Sequence, residues 1–263
     1  MRINAKLWVG VGLCVAMGQT GMAMAQGHHA GHGAAVPAAA EGGEGGELGA
    51  FDNLSEDQQL QGSLGLIRGH LSVGRELYQA GRGSDAIPHL LHPAEEIYDG
   101  ARPVLDTRKV GFEADLDALV ALARAKAPAA DVAKALDKME QAITKAEATI
   151  PAVDRAKPAF LTPVIATLLR TAASEYAAAV EDGVITSPIE YQDGRGFYAI
   201  AKVYLARLSA STAASDPSGN AVKAMDKLGP VWATLQPPKG KVTPPGEVSA
   251  LVSNVELALS RLR

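Results

Sequence analysis

Residues 69–98 read GHLSVGRELYQAGRGSDAIPHLLHPAEEIY, and this stretch predicts two helices joined by a tight turn. The apolar spacing before Gly81 indicates the end of a long amphipathic helix. The Gly- and Ser-containing run that follows is typical of a turn, and Pro88 and Pro93 predict a kink in the helix after it. We therefore interpret the stretch as a helical hairpin.

The same helical pattern continues through residues 51–263. Ser55 followed by Gln58 predicts a capping box at the start of the first helix. Helices are expected at residues 56–80, 85–105, 112–127, 129–149, 158–181, 187–211 and 247–262. Because the chain shows no alternating strand pattern of useful length, we predict an all-α fold, an up-and-down helical bundle in a single domain.

A weak internal repeat relates the first hairpin to residues 174–200, which read SEYAAAVEDGVITSPIEYQDGRGFYAI. Both segments pass through a glycine-containing turn, at Gly81 and at Gly183, and then enter a helix with two polar residues three positions apart. The corresponding residues are His70 and Glu175, His89 and Glu190, and His92 and Asp193. Two related hairpins packed together would bring imidazoles and carboxylates to the centre of a four-helix unit.

These polar residues predict a metal site. Imidazole is the commonest side-chain ligand, and residues three apart share one helix face. An ionised carboxylate on an apolar helix face is costly unless it is paired or bound to a cation. If the helix continues through Pro93, Glu96 joins the two histidines; if Pro93 begins a new helix, Glu95 is also a candidate. The candidate metal ligands are His70, His89, His92, Glu95, Glu96, Glu175, Glu190 and Asp193.

Each candidate also has a structural explanation. A buried histidine can bond a backbone carbonyl, and Glu175 and Glu190 can form surface ion pairs with Arg170, Arg195 or Lys202. Nitrogen and oxygen donors without sulfur suit a transition metal ion, with iron or copper favoured and zinc possible. Four tyrosines are candidate ferric ligands or, more commonly, residues at the edge of the core: Tyr78, Tyr98, Tyr176 and Tyr191.

The N-terminus predicts export. Basic residues, an apolar run at residues 7–18 and Ala23-Met24-Ala25 are typical of a secretory signal peptide of residues 1–25. Residues 26–50 are rich in Gly, Ala and Glu and are expected to form a disordered tail with the histidines His28, His29 and His32. The periplasm is therefore the expected location, and the tail histidines are either a metal-catching arm or incidental.

Composition narrows the partners. The net charge is −4, and the absence of a basic patch argues against nucleic acid as a partner. The one cysteine, Cys14, lies in the signal, which excludes disulfides and thiolate ligands from the mature chain. The mature chain shows no membrane-spanning stretch. The expected partners are a metal ion and a transport protein of the periplasm or inner membrane.

The element His92-Pro93-Ala94-Glu95 has the form HxxE in an alanine-rich, exported, all-helical chain with an internal repeat. In these features the chain resembles the imelysin group, which includes periplasmic iron-uptake components. The resemblance implies metal binding, with iron expected, by His92 and Glu95 in a cleft between two helical halves. The chain departs from the family pattern at Leu90, where the family has glycine.

Motifs of the common hydrolases, phosphate-binding loops and covalent haem attachment are absent from the sequence. The leading functional hypothesis is a periplasmic metal-binding protein for iron or copper, with a His and carboxylate site in the bundle core. The alternatives are a metal- or haem-dependent oxidoreductase, with His70 or His89 as a haem ligand, and a non-catalytic helical adaptor.

Overall fold

The computed structural model describes residue 47, residues 49–211 and residues 218–262 of the chain. The predicted signal peptide of residues 1–25 lies outside the described residues, as do the tail histidines His28, His29 and His32. Of the predicted tail, by contrast, Glu47, Gly49 and Ala50 are described, and the Ala50 N–H donates to the Glu47 carbonyl oxygen at 3.3 Å.

The first half of the described chain is a series of helices whose positions agree closely with prediction. The capping box at the start of α1 is present, and the Ser55 N–H donates to Gln58 Oε1 at 3.1 Å. The elements are α1 Glu56–Gln79, α2 Gly83–His92, a π-helical turn Pro93–Ile97, α3 Tyr98–Thr107, α4 Glu113–Arg124 and α5 Ala129–Glu147.

The second half contains a helical hairpin and a smaller helical pair. Its elements are α6 Pro158–Ala179, β1 Val180–Glu181, β2 Val184–Ile185, α7 Pro188–Ser211, α8 Ser218–Asp226, a 3₁₀ turn Gly229–Trp232, α9 Pro245–Leu259 and a 3₁₀ turn Ser260–Leu262. The two-residue antiparallel strands and α8 were not predicted, because such short segments carry too few residues to show a periodicity. The predicted all-α class is confirmed.

The two predicted hairpins are present as α1–α2 and α6–α7. Their turns place Gly81 at φ +73° and Gly183 at φ +78°, the left-handed region in which glycine is unstrained. Helix α7 packs against both α1 and α6, so the hairpins form one four-helix unit. No helix among the described residues is long and apolar enough to cross a membrane.

A glycine contact sets the distance between α1 and α7. A Cβ atom on Gly69 would lie 2.6 Å from the Phe197 ring, and one on Gly196 would lie 2.6 Å from the Gly69 carbonyl oxygen. Two helices can approach this closely only where neither presents a side chain. The contact places His70, the next residue of α1, beside Asp193 on α7.

The predicted kink at Pro93 takes the form of a single π-helical turn. Proline has no N–H to continue the α-helical ladder, and the Tyr98 N–H reaches back five residues to the Pro93 carbonyl. The two consecutive glutamates in this turn point in different directions. Glu96 stays on the side of His92, whereas Glu95 points to α4.

Candidate metal centre

Three histidines from two helices meet one carboxylate at the centre of the four-helix unit. Asp193 on α7 is 1% exposed, and its Oδ1 accepts hydrogen bonds from His70 Nδ1 at 2.6 Å and His89 Nδ1 at 2.7 Å. His92 Nδ1 lies 3.4 Å from Asp193 Oδ2. Because a carboxylate only accepts, these contacts place the hydrogens on the imidazole Nδ1 atoms that bond it. We call these four residues the histidine cluster.

The opposite nitrogen of each ring faces a different oxygen. His70 Nε2 is 3.2 Å from Glu47 Oε2, and His92 Nε2 is 3.8 Å from Glu96 Oε1. His89 Nε2 is 2.9 Å from the amide oxygen of Gln192. Two of the three rings therefore turn their second nitrogen toward a carboxylate, and the third turns it toward a neutral amide.

The three imidazole rings stabilise the negative charge of Asp193. Burial alone would raise the pKa of Asp193, but the charge of His70 and the hydrogen bonds from the three rings hold it well below its ordinary value. Burial likewise opposes the charge on His70, yet Asp193 and Glu47 raise the pKa of this ring well above 6.5. Asp193 thus lies in the structure as a carboxylate already neutralised by imidazoles.

The ionised forms of the surrounding glutamates are not stabilised in the same way. Burial, reinforced by the negative charges of Glu47 and Asp193 and opposed by His92 and His70, raises the pKa of Glu96 to about 7. Burial also raises the pKa of Glu175 to about 9, aided by the charge of Glu47 and by a hydrogen bond that the protonated Glu175 donates to Glu190. Within the described part of the chain, no ion pair joins a lysine or arginine to any of these carboxylates. No fixed positive charge therefore holds Glu96 or Glu175 in the ionised form.

Two sets of side chains bring three ligand atoms within 4.8 Å of one another. One consists of His70, His92 and Glu96, and the other of His70, His89 and Asp193. The second set is held at hydrogen-bonding distances of 2.6 and 2.7 Å, and its carboxylate is neutralised by the rings. The first set lies on the side of the uncompensated glutamates, with Glu47 next to His70.

The structure brings together five of the eight predicted ligands: His70, His89, His92, Glu96 and Asp193. Glu175 and Glu190 lie beside them, joined to each other by a hydrogen bond, and the charges of Glu47 and Asp193 act on Glu175. Glu95 lies elsewhere, since its exposed carboxylate pairs with Arg124 at 2.8 Å. Consecutive residues of a helix point about 100° apart, and this separation removes the HxxE pair of His92 and Glu95 as a joint ligand set.

The structural alternatives can be compared with the observed contacts. Arg170 pairs with Glu256 and Arg195 with Glu76, so neither neutralises Glu175 or Glu190 in the structure. Three of the tyrosines use their hydroxyl groups on the backbone, with bonds to residues 112, 234 and 243: Tyr98, Tyr191 and Tyr176. These contacts fit the prediction of tyrosines at the edge of the core.

Sequence reasoning missed two residues of the site. Glu47 falls in the Gly-, Ala- and Glu-rich segment assigned to the tail, yet it is 7% exposed and contacts His70. Gln192 is neutral and adjacent to Asp193, so no charge or spacing marked it, although it is 2% exposed and bonds His89. The only available indication of Glu47 was its position shortly before the capping box at Ser55.

Comparison with known proteins gives one finding. Residues 151–262 match the model of the iron permease-associated 4-helix bundle domain, a range that contains α6 to α9. No curated protein and no solved structure matches the chain. The matched range holds Glu175, Glu190 and Asp193, whereas all three histidines of the cluster lie before it, on α1 and α2. The chain is thus similar to a helical, iron-associated family over this range, a relation that does not single out the imelysin group.

Proposed function

We propose that this protein is a periplasmic iron-binding protein that acts with a membrane iron transporter. The ion is held by His70, His92 and Glu96, with Glu47 as a fourth ligand. The observation that carries the proposal is that ligand atoms of His70, His92 and Glu96 lie within 4.8 Å of one another, with Glu47 Oε2 3.2 Å from His70 Nε2.

Electrostatics supports this position for the ion. Asp193 already receives hydrogen bonds from imidazoles, so it has little need of a further cation. Glu96 and Glu175 have raised pKa values because burial and neighbouring carboxylates disfavour their ionised forms. A divalent or trivalent ion between Glu47 and Glu96 would stabilise the ionised forms of these two carboxylates, with which no lysine or arginine of the described residues pairs.

Asp193 then has a supporting role. Its Oδ1 accepts the Nδ1–H of His70, which leaves Nε2 as the nitrogen available to the ion. Metal-binding histidines commonly donate their second ring N–H to a carboxylate, and this bond fixes the orientation of the ring. The neighbouring glycine contact of Gly69 and Gly196 holds both partners in place.

Iron is favoured by the ligand chemistry and by the family match together. Two imidazoles with two or more carboxylates form a nitrogen and oxygen donor set that suits iron, and sulfur ligands, which would favour Cu(I), do not contribute. The family model that matches residues 151–262 is described as iron permease-associated. The signal-like N-terminus and the exported tail favour the periplasm as the place where the ion is bound.

Metal binding by the full chain tests the proposal. His28, His29 and His32 are first replaced by glutamine, so that ions held by the N-terminal histidines do not contribute. The protein, purified without an affinity tag, is titrated anaerobically with Fe(II) and separately with Cu(II) and Zn(II), and bound metal is measured by elemental analysis. We expect one tightly bound iron per chain and preference for iron over zinc.

His70→Ala and His92→Ala should each bind iron weakly enough that less than one iron per chain remains after desalting. Lys138→Ala, which changes an exposed residue on α5, is the matched control and should bind iron as the wild type does. A wild-type protein without bound iron, or with iron that both histidine variants retain, would overturn the proposed function. Tight copper binding with weak iron binding would reassign the metal.

A further inference from the structure

His89 differs from the other two histidines in how completely its ring is engaged. It is fully buried, and both ring nitrogens lie at hydrogen-bonding distance from oxygens: Nδ1 at 2.7 Å from Asp193 Oδ1 and Nε2 at 2.9 Å from Gln192 Oε1. Both ring nitrogens are thus engaged with protein oxygens, and an ion could bind either of them only by breaking one of these contacts.

The orientation of the Gln192 amide is fixed by a further bond. Gln192 Nε2 donates to the Leu235 carbonyl oxygen at 3.1 Å, so the amide oxygen must face His89. Rotating the amide by 180° would set its oxygen against the Leu235 carbonyl and lose this bond. The roles of the two Gln192 side-chain atoms are therefore assigned: Nε2 donates to the Leu235 carbonyl oxygen, and Oε1 faces His89.

His70 has a similar pair of contacts but a different second partner. Its Nε2 faces the carboxylate of Glu47, which can bind a metal ion itself once the ion replaces the hydrogen. The second partner of His89 is a neutral amide whose N–H₂ group is already used. An ion at His89 Nε2 would be desolvated without a carboxylate beside it, a costly arrangement.

We infer that His89 is a positioning residue that holds Asp193 in place and that it does not bind the metal ion. By donating to the same Asp193 oxygen as His70, it fixes the carboxylate that orients the metal-binding rings. This inference rests on the proposed function and divides the roles within the HxxH pair, with His92 as a ligand and His89 as its support.

The competing arrangement places the ion among the Nδ1 atoms and Asp193. His70, His89 and Asp193 would then be ligands, and the present hydrogen-bonding distances of 2.6 and 2.7 Å would have to lengthen to make room. The two arrangements use different histidines, so the identity of the coordinated rings separates them.

Pulsed electron paramagnetic resonance of the ferrous protein treated with nitric oxide counts the imidazole nitrogens bound to iron. The measurement uses the chain in which the three N-terminal histidines are glutamine. We expect two coordinated imidazoles in the wild-type cluster, one in His92→Gln and two in His89→Gln. The His89→Gln protein should bind iron roughly 10- to 100-fold more weakly, the usual effect of removing a group that orients a ligand.

Tyr204→Phe is the control for a general loss of packing. It removes a buried hydroxyl that hydrogen-bonds Gln61, away from the histidine cluster, and should leave the imidazole signals unchanged. His89→Gln should instead shift the coupling of the remaining nitrogens, because Asp193 has lost one of its donors.

Three coordinated imidazoles in the wild type, or a fall to one in His89→Gln, would overturn the inference and leave iron binding intact. If His89→Gln does not fold, the His92→Gln protein decides: one remaining imidazole supports the inference, and two overturn it. A wild-type chain that binds no iron at all would instead contradict the proposed function.

Discussion

Helix α1 contributes to two buried charged clusters that neutralise their carboxylates in different ways. The histidine cluster lies on the side that faces α2 and α7. The other, which we call the arginine cluster, lies between α1, α5 and α7. Its members are Gln61, Arg68, Glu147, Arg155, Tyr204 and Arg207.

The arginine cluster neutralises its own buried carboxylate, Glu147. Glu147 is 3% exposed and pairs with Arg68 at 2.5 Å, with Arg207, and with Arg155 at 3.7 Å. Burial alone would raise the pKa of Glu147, but Arg68 and Arg207 lower it below 4.5. Because arginine remains charged at any pH the protein meets, this cluster has no need of an added ion.

Among the residues that the structure describes, no lysine or arginine pairs with the histidine cluster or its glutamates. Their positive charge comes from imidazoles, which a metal ion can use as ligands once a proton is lost. The pKa values of Glu96 and Glu175 rise, whereas that of Glu147 falls. The comparison indicates that burial of a carboxylate does not by itself identify a metal site. A buried carboxylate with no arginine or lysine beside it is the better candidate for a metal ligand.

The largest expected effect comes from removing the carboxylate of the arginine cluster. Glu147→Gln leaves Arg68 and Arg207 without their shared buried partner, and breaking such a pair costs about 3–5 kcal/mol of unfolding free energy. Urea unfolding followed by circular dichroism measures this loss. Iron affinity should remain that of the wild type, because the ion binds at the other cluster.

Glu140→Gln is the matched control for that change. Glu140 also pairs with Arg68, but its side chain is 54% exposed, so the expected loss is below about 1 kcal/mol. Equal losses in the two variants would mean that burial does not distinguish these ion pairs.

The next effect concerns iron affinity. Glu96→Gln keeps the size of the side chain but removes a charged ligand, and we expect the affinity for Fe(II) to fall about 10- to 100-fold. Calorimetric titration under anaerobic conditions measures it. Unfolding free energy of the iron-free protein should stay the same or rise, because burial already disfavours the charge of Glu96. An unchanged iron affinity would remove Glu96 from the ligand set.

Sequence patterns predicted the helices that carry the site because periodicity and caps are local properties. The capping box at Ser55, the glycine turns and the register that relates His92 to Asp193 can all be read within a few turns of helix. These features were enough to place His70 and Asp193 in one four-helix unit, where the structure has them in contact.

The remaining details of the site depend on geometry that no local pattern encodes. Pro93 could continue the helix or begin a new one, and only the structure shows that the chain continues through a π-helical turn with Glu96 on the side of His92. Glu47 reaches His70 through a segment whose composition predicts disorder. The roles within the cluster depend on which ring nitrogen faces which oxygen, as with His89 and Gln192, and spacing does not determine this.

The two clusters should also respond oppositely to pH in the iron-free protein. Glu175 keeps a proton in the folded state up to about pH 9, whereas the unfolded chain loses it near 4.5, so stability falls as pH rises through that window. Glu147 has a lowered pKa, so its contribution is present above pH 4.5 and is lost as pH falls below that value.

These signs can be checked by measuring unfolding free energies from roughly pH 3 to pH 9, a range that covers both windows. Glu175→Gln should flatten the decline on the alkaline side, and Glu147→Gln should flatten the decline on the acid side. Saturating iron should reduce the alkaline decline of the wild type, since the ion compensates the charge of Glu175. Parallel curves for the wild type and both variants would contradict the contrast between the clusters.

The smallest expected effect is at Glu95, the predicted ligand that the structure places on the surface. Its ion pair with Arg124 joins side chains that are 49% and 61% exposed, and solvent screening leaves such pairs with little net energy. Glu95→Gln should therefore change unfolding free energy by less than about 0.5 kcal/mol and leave Fe(II) affinity unchanged. Measured beside Glu96→Gln, it tests the different directions of the two consecutive glutamates: a loss of iron affinity in Glu95→Gln would mean that the π-helical turn rearranges when the ion binds.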